Sequence, residues 1–81
     1  MMNQETTRPL ATIASEIRSD WKNVNYAAKP YLDAMAQLNS INDSYYYDSA
    51  HSVVLYFLGN ASAWRGETAK RVKLELKAMA K

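Results

Sequence analysis

Cysteine is absent from this 81-residue chain, and glycine and proline occur only twice each. Without Cys, disulfide staples, thiolate metal sites and a Cys nucleophile are excluded together. A small secreted domain without disulfides is unusual, so a reducing cytoplasm is the expected compartment. With so little Gly and Pro, the connections between elements must be short. Long hydrophobic runs are missing too. The longest, Val53 to Leu58, falls far short of the roughly 20 residues that a membrane span needs, so no membrane partner is expected. Met1 to Thr7 offers no basic segment followed by an apolar core, and no signal peptide is expected.

The usual marks of catalysis are also lacking. The single His, His51, has no Ser or carboxylate at a spacing that defines a triad. No phosphate-cradling Gly loop, HExxH pattern or EF-hand loop occurs. Glu16, Asp20, Asp33, Asp43 and Asp48 read as solvated surface acids, Asp48 doubling as a helix cap, and His51 reads as a polar first-turn residue. No catalytic, cofactor-binding or metal-binding residue is assigned, and the chain is expected not to be an enzyme.

What is present is apolar material in helical register. The sequence is 48% hydrophobic, with six Tyr, two Trp and one Phe, enough to fold and more aromatic surface than a small core easily hides. A chain of this size buries only roughly 60–65% of its unfolded surface, so stability on the order of 5 kcal/mol is expected. Leu10, Ile13, Ala14, Ile17 and Trp21 mark one helix face, with Thr7 as N-cap and Pro9 in the first turn. Ala27, Ala28, Tyr31, Ala34, Met35, Leu38 and Ile41 mark a second. Pro30 restricts its start to between Asn25 and Lys29, and Asn42-Asp43-Ser44 ends it.

The block Val53-Val54-Leu55-Tyr56-Phe57-Leu58 also suits a buried strand, but nothing else in the chain offers a partner strand. As a helix from Asp48, with Asp48-Ser49 as its N-cap pair, it is apolar nearly all round, which predicts a central helix. It ends either at Gly59, with Asn60 capping a long last helix, or at a bend near Trp64-Arg65-Gly66. Ala69, Val72, Leu76 and Met79 form the apolar face of the last helix, and Glu67/Arg71 and Arg71/Glu75 are its i,i+4 ion pairs. The expected fold is all-α, a compact bundle of three to four helices: residues 7–81 as one domain behind a flexible 1–6. Its core is predicted at Ile13, Ile17, Trp21, Leu38, Val54, Phe57, Leu58, Val72 and Leu76.

Two surfaces stand out. Tyr45-Tyr46-Tyr47 in a connection cannot all face one core, and exposed Tyr suits protein interfaces, between unlike chains or in a homo-oligomer. Trp64, Arg65 and Leu74 join them as candidate partner-binding residues, Leu74 because it lies among lysines. The second surface is basic: residues 61–81 carry six Lys/Arg against two Glu. Lys70, Lys73, Lys77 and Lys81 form a stripe on the last helix that could neutralise nucleic-acid phosphates, without base-reading residues and so without sequence preference. The stripe also suits the negative end of the helix dipole without any ligand.

Three segments carry a resemblance: Ile17-Arg18-Ser19-Asp20-Trp21-Lys22-Asn23, Leu38-Asn39-Ser40-Ile41-Asn42-Asp43, and Val53 to Leu58 continuing through Asn60-Ala61 and Trp64-Arg65-Gly66-Glu67 to Lys73-Leu74-Glu75-Leu76-Lys77. Together they resemble small uncharacterised proteins encoded by bacteriophages and integrated mobile elements. The resemblance brings no activity and no catalytic residues. It implies an accessory protein in the cytoplasm of a bacterial host that acts by stoichiometric protein binding, for example an anti-CRISPR type inhibitor of a host or defence protein. The alternative is a nucleic-acid-binding accessory protein using the lysine stripe.

Overall fold

In the computed structural model, which describes residues 8–80, the helices begin where their first backbone donors find an acceptor. Helix α1 (Leu10–Asp20) has Pro9 at its N-cap, which supplies no side-chain bond. The Leu10 and Ala11 amides donate instead to the carbonyls of Asn39 and Leu38, both at 2.9 Å. A long-range backbone contact thus does the work expected of Thr7, which lies with residues 1–6 and Lys81 outside the described residues. Helix α2 (Lys29–Met35) carries Pro30 in its first turn. Asn25 sets it up: its Oδ1 accepts from the amides of Ala27 and Ala28 at 2.8 and 3.1 Å.

The second helix is shorter than its apolar pattern predicts. It stops at Met35, and the chain turns so that Leu38 still reaches the core while Ile41 packs at its edge. Next come two short strands, β1 (Ser44–Tyr45) and β2 (Asp48–Ser49), paired antiparallel with Tyr45 opposite Asp48. The all-α expectation is therefore corrected: the fold is mostly helical, with a two-residue hairpin between α2 and α3. Local turn geometry makes this possible, because a hairpin supplies its own partner strand and needs none from elsewhere in the chain.

Helix α3 (Ala50–Gly59) starts two residues after Asp48. Of the expected Asp48-Ser49 capping pair Ser49 takes the role, its hydroxyl accepting from the Ser52 amide at 3.1 Å. It ends at Gly59, and Asn60 closes it by donating from Nδ2 to the Tyr56 carbonyl at 2.8 Å. Neither expected continuation holds, because a connection rather than a helix runs from 60 to 66. Gly66, at φ 113° and ψ −178°, then admits helix α4 (Glu67–Met79) through a conformation that residues with a Cβ scarcely reach.

The core cluster draws on all four helices: Leu10, Ile13 and Ile17; Leu32 and Met35; Val53, Val54 and Phe57; Val72 and Leu76. Leu58, expected inside, is only partly buried. Trp21, Phe57 and Trp64 form an aromatic triangle at its centre. The two indoles stack at 5.9 Å between centroids with planes 9° apart, and Phe57 meets each edge-on, at 6.3 and 6.4 Å. Each such pair adds about 0.5–1.5 kcal/mol beyond area burial.

The ion pairs also differ from the local i,i+4 pattern. Arg71 pairs with Glu16 of α1, and Glu75 takes a bidentate pair from Arg8, Nε to Oε2 at 2.9 Å and Nη2 to Oε1 at 2.7 Å. Neither Glu67–Arg71 nor Arg71–Glu75 forms, because the opposing charges of the first helix region lie across the interface from α4.

Candidate interaction surface

The hairpin tip is Tyr46-Tyr47, a two-residue turn between β1 and β2. Tyr46 has a φ of 56° and is the one non-glycine residue with positive φ among those described. In a hairpin turn with positive φ at its first central position, glycine is the usual occupant. An aromatic residue there costs about 1–2 kcal/mol of backbone strain. No burial offsets it: Tyr46 is 82% exposed and Tyr47 fully exposed, at 104%.

Tyr45 behaves differently. It is half-buried against the core, its ring meeting Tyr46 edge-on at 4.7 Å, and its hydroxyl lies 3.5 Å from Gln37 Nε2. Asp43 secures the approach to the hairpin. Its carboxylate accepts from the amides of Ser40 and Asn39 at 2.9 and 3.0 Å, and its carbonyl accepts from the Ala50 amide at 2.8 Å. Those amide bonds, Ser40's first, hold the Asp43 carboxyl below the usual carboxylate range. The tip is thus a projection with one anchored and two free aromatic rings.

The other candidates divide. Trp64 is removed from the partner-binding set: it is 2% exposed, in the aromatic triangle, and its Nε1 donates to Asp20 Oδ2 at 2.8 Å. Arg65, next to it, is exposed. Leu74 is 60% exposed and sits in a shallow concavity of about 760 Å³ lined by Glu67, Thr68, Lys70, Arg71, Leu74 and Glu75. The lysine stripe is not uniform. Lys70 and Lys77 are exposed, but Lys73 donates from Nζ to the Trp64 carbonyl at 2.6 Å, 5.9 Å from the indole centroid. Lys81 lies outside the described residues.

A second aromatic surface is not evident from the apolar pattern of α3. Leu55 and Tyr56 are exposed rather than packed in a helix covered on all sides, and Tyr56 meets Tyr31 at 5.4 Å. Tyr26 is exposed as well. The signal was the helical phase itself: Ser52, Leu55, Tyr56 and Gly59 fall opposite Val53, Val54 and Phe57.

Four of the five acids singled out in the sequence have structural partners. Glu16 holds Arg71 and Arg8, Asp20 the Trp64 indole, Asp33 Arg18 and Asp43 the backbone. The Arg71 hydrogen bond, then that of Arg8, lowers the Glu16 pKa. His51 Nε2 donates to the Ala80 carbonyl at 2.5 Å, tying α3 to the end of α4. Among the described residues no group of three or more His, Asp or Glu could hold a metal ion, and no helix is long and apolar enough to cross a membrane.

No family model, curated protein or solved structure matches the chain.

Proposed function

We propose that this chain is a stoichiometric binding protein, acting by contact rather than by turnover, and that its contact surface is centred on Tyr46 and Tyr47. The observation that carries this is a bulky aromatic in a turn position suited to glycine, displayed to solvent beside a second free ring. Folding gains little from either ring, Tyr47 having no packing and Tyr46 only its edge contact with Tyr45, whereas an interface gains large contact area at low entropic cost and two hydroxyls for hydrogen bonding. A projecting tip fits a cleft better than a flat face, which suits an inhibitor or adaptor of a larger host or defence protein. The phage-like segments support that setting by association only.

The test is capture of binding proteins from bacterial lysate by the immobilised chain, with Tyr46→Ala and Tyr47→Ala run in parallel and the contact mapped by cross-linking. Retention that depends on both rings, at unchanged melting temperature, is the expected result. Equal retention by both variants, or losses that track lost stability, overturns it.

A further inference from the structure

Every arginine of the described chain except Arg65 forms an ion pair with a carboxylate: Arg8 with Glu75 and Glu16, Arg18 with Asp33, and Arg71 with Glu16. The cations around Trp64 do not. The Lys73 ammonium is drawn in over the indole and fixed by one hydrogen bond to the Trp64 carbonyl. That leaves two of its three N–H groups without an acceptor among the described residues. Lys77 lies one turn further along α4, and Arg65 directly follows Trp64 in the connection. Both bear on Lys73 as like charges, and no acid among the described residues offsets them. Burial, then Lys77 and Arg65, lowers the Lys73 pKa. Glu16, Asp20, Asp33 and Glu75 are each turned to other partners, and Glu67 lines the concavity with Lys70.

A partly desolvated ammonium under the like charge of two further cations is unfavourable unless an anion completes the group. We propose that Arg65, Lys73 and Lys77 form a binding site for phosphate groups. The site departs from the lysine stripe in two ways: Arg65 joins it, and Lys70, which faces the Leu74 concavity, does not. Arg65 can grip a phosphate by two N–H groups at once, with Lys73 pre-positioned and Lys77 adding charge. Because the Trp64 ring is buried in the core, no aromatic face is open for base stacking, so recognition stops at the phosphate. The site is independent of the hairpin.

The experiment is an NMR titration at low salt with three probes: inorganic tripolyphosphate, a short oligothymidylate and an oligoglutamate peptide of matched charge. Saturable shifts at Arg65, Lys73 and Lys77 with either phosphate probe are expected, together with a rise in the titration midpoint of the Lys73 ammonium. Tripolyphosphate alone would indicate a free phosphate ligand, and oligothymidylate a nucleic-acid backbone. For the oligonucleotide, binding should weaken with salt, and Arg65→Gln and Lys77→Gln should each lower affinity several-fold and flatten the salt slope by about one unit. Lys70→Gln should leave both unchanged. The proposal is overturned if Lys70→Gln weakens binding as much as Lys77→Gln, since the attraction is then diffuse. It is equally overturned if oligoglutamate binds the same residues as tightly, or if neither phosphate probe shifts them.

Discussion

Two aromatic triplets in this protein meet opposite fates. Trp21, Phe57 and Trp64 are scattered over more than half the chain, yet they stack into one buried triangle. Tyr45, Tyr46 and Tyr47 are consecutive, yet only Tyr45 reaches the core. Consecutive side chains in an extended or turning backbone diverge, so adjacency in sequence works against convergence in space. Residues on separate elements carry no such restriction. Each can be aimed at a common centre by its own helix end or connection, as Trp21 is by the end of α1 and Trp64 by the turn before Gly66. In the first triplet each ring is part of the stability of the domain. In the second, Tyr46 adds backbone strain and both free rings add exposed apolar area, a cost that a partner can recover.

The contrast is broken most severely from the core side. Phe57→Ala or Trp64→Ala should cost about 3–5 kcal/mol, close to the whole stability of a domain this size. Urea denaturation followed by the fluorescence of the two stacked indoles measures it. A variant with a near-normal midpoint would show that the triangle is dispensable.

Acid should come next. Glu16 and Asp43 both have lowered folded pKa values, so their contribution is present above the unfolded pKa of about 4 and is lost as pH falls through the folded value. The melting temperature should hold from pH 7 to about 5 and drop below about pH 4. Glu16→Gln combined with Asp43→Asn should lower it at neutral pH and flatten the acid limb. A wild-type protein that melts identically at pH 7 and pH 3 would contradict these roles.

Within the basic helix the structure separates lysines that the sequence groups. Lys73→Gln should destabilise by roughly 1 kcal/mol, through the lost hydrogen bond to Trp64, while Lys70→Gln and Lys77→Gln should stay within about 0.5 kcal/mol. Equal melting of all three variants would mean that Lys73 is not anchored.

The smallest effect on stability belongs to the hairpin tip. Tyr47→Ala should change stability by less than about 0.5 kcal/mol. Tyr46→Gly relieves the strained φ but loosens the unfolded chain, so it should melt at or slightly above the wild-type temperature. In an interface, loss of such a ring typically costs 1 kcal/mol or more, about fivefold in affinity. A Tyr46→Gly protein that melts several degrees lower would show that the ring serves the fold and would dissolve the contrast between the triplets.

Much of the helical framework was legible from residue spacing. The faces of α1 and α4 and the start of α2 near Pro30 appear where the periodicity puts them, and eight of the nine expected core residues are buried, Leu58 being the exception. The hairpin was not legible, because no residue of Ser44 to Ser49 is a favoured turn glycine and the positive φ falls on Tyr46. That an aromatic cluster would be displayed followed from three adjacent tyrosines. Which of them would be free depended on Tyr45 finding the core edge near Gln37.

By itself the sequence determined helix phase, since a 3.6-residue period of apolar side chains has one low-energy reading, and it excluded disulfides by composition. Tertiary structure alone decided the rest. It took Trp64 into the core, drew Lys73 after it, and paired Arg71 with α1 instead of with its own helix. Those outcomes turn on distances between residues far apart in the chain, which local propensity does not encode. Burial of Trp64 fixes the first two outcomes, while the surface pair of Arg71 with Glu16 follows from the packing of α1 against α4.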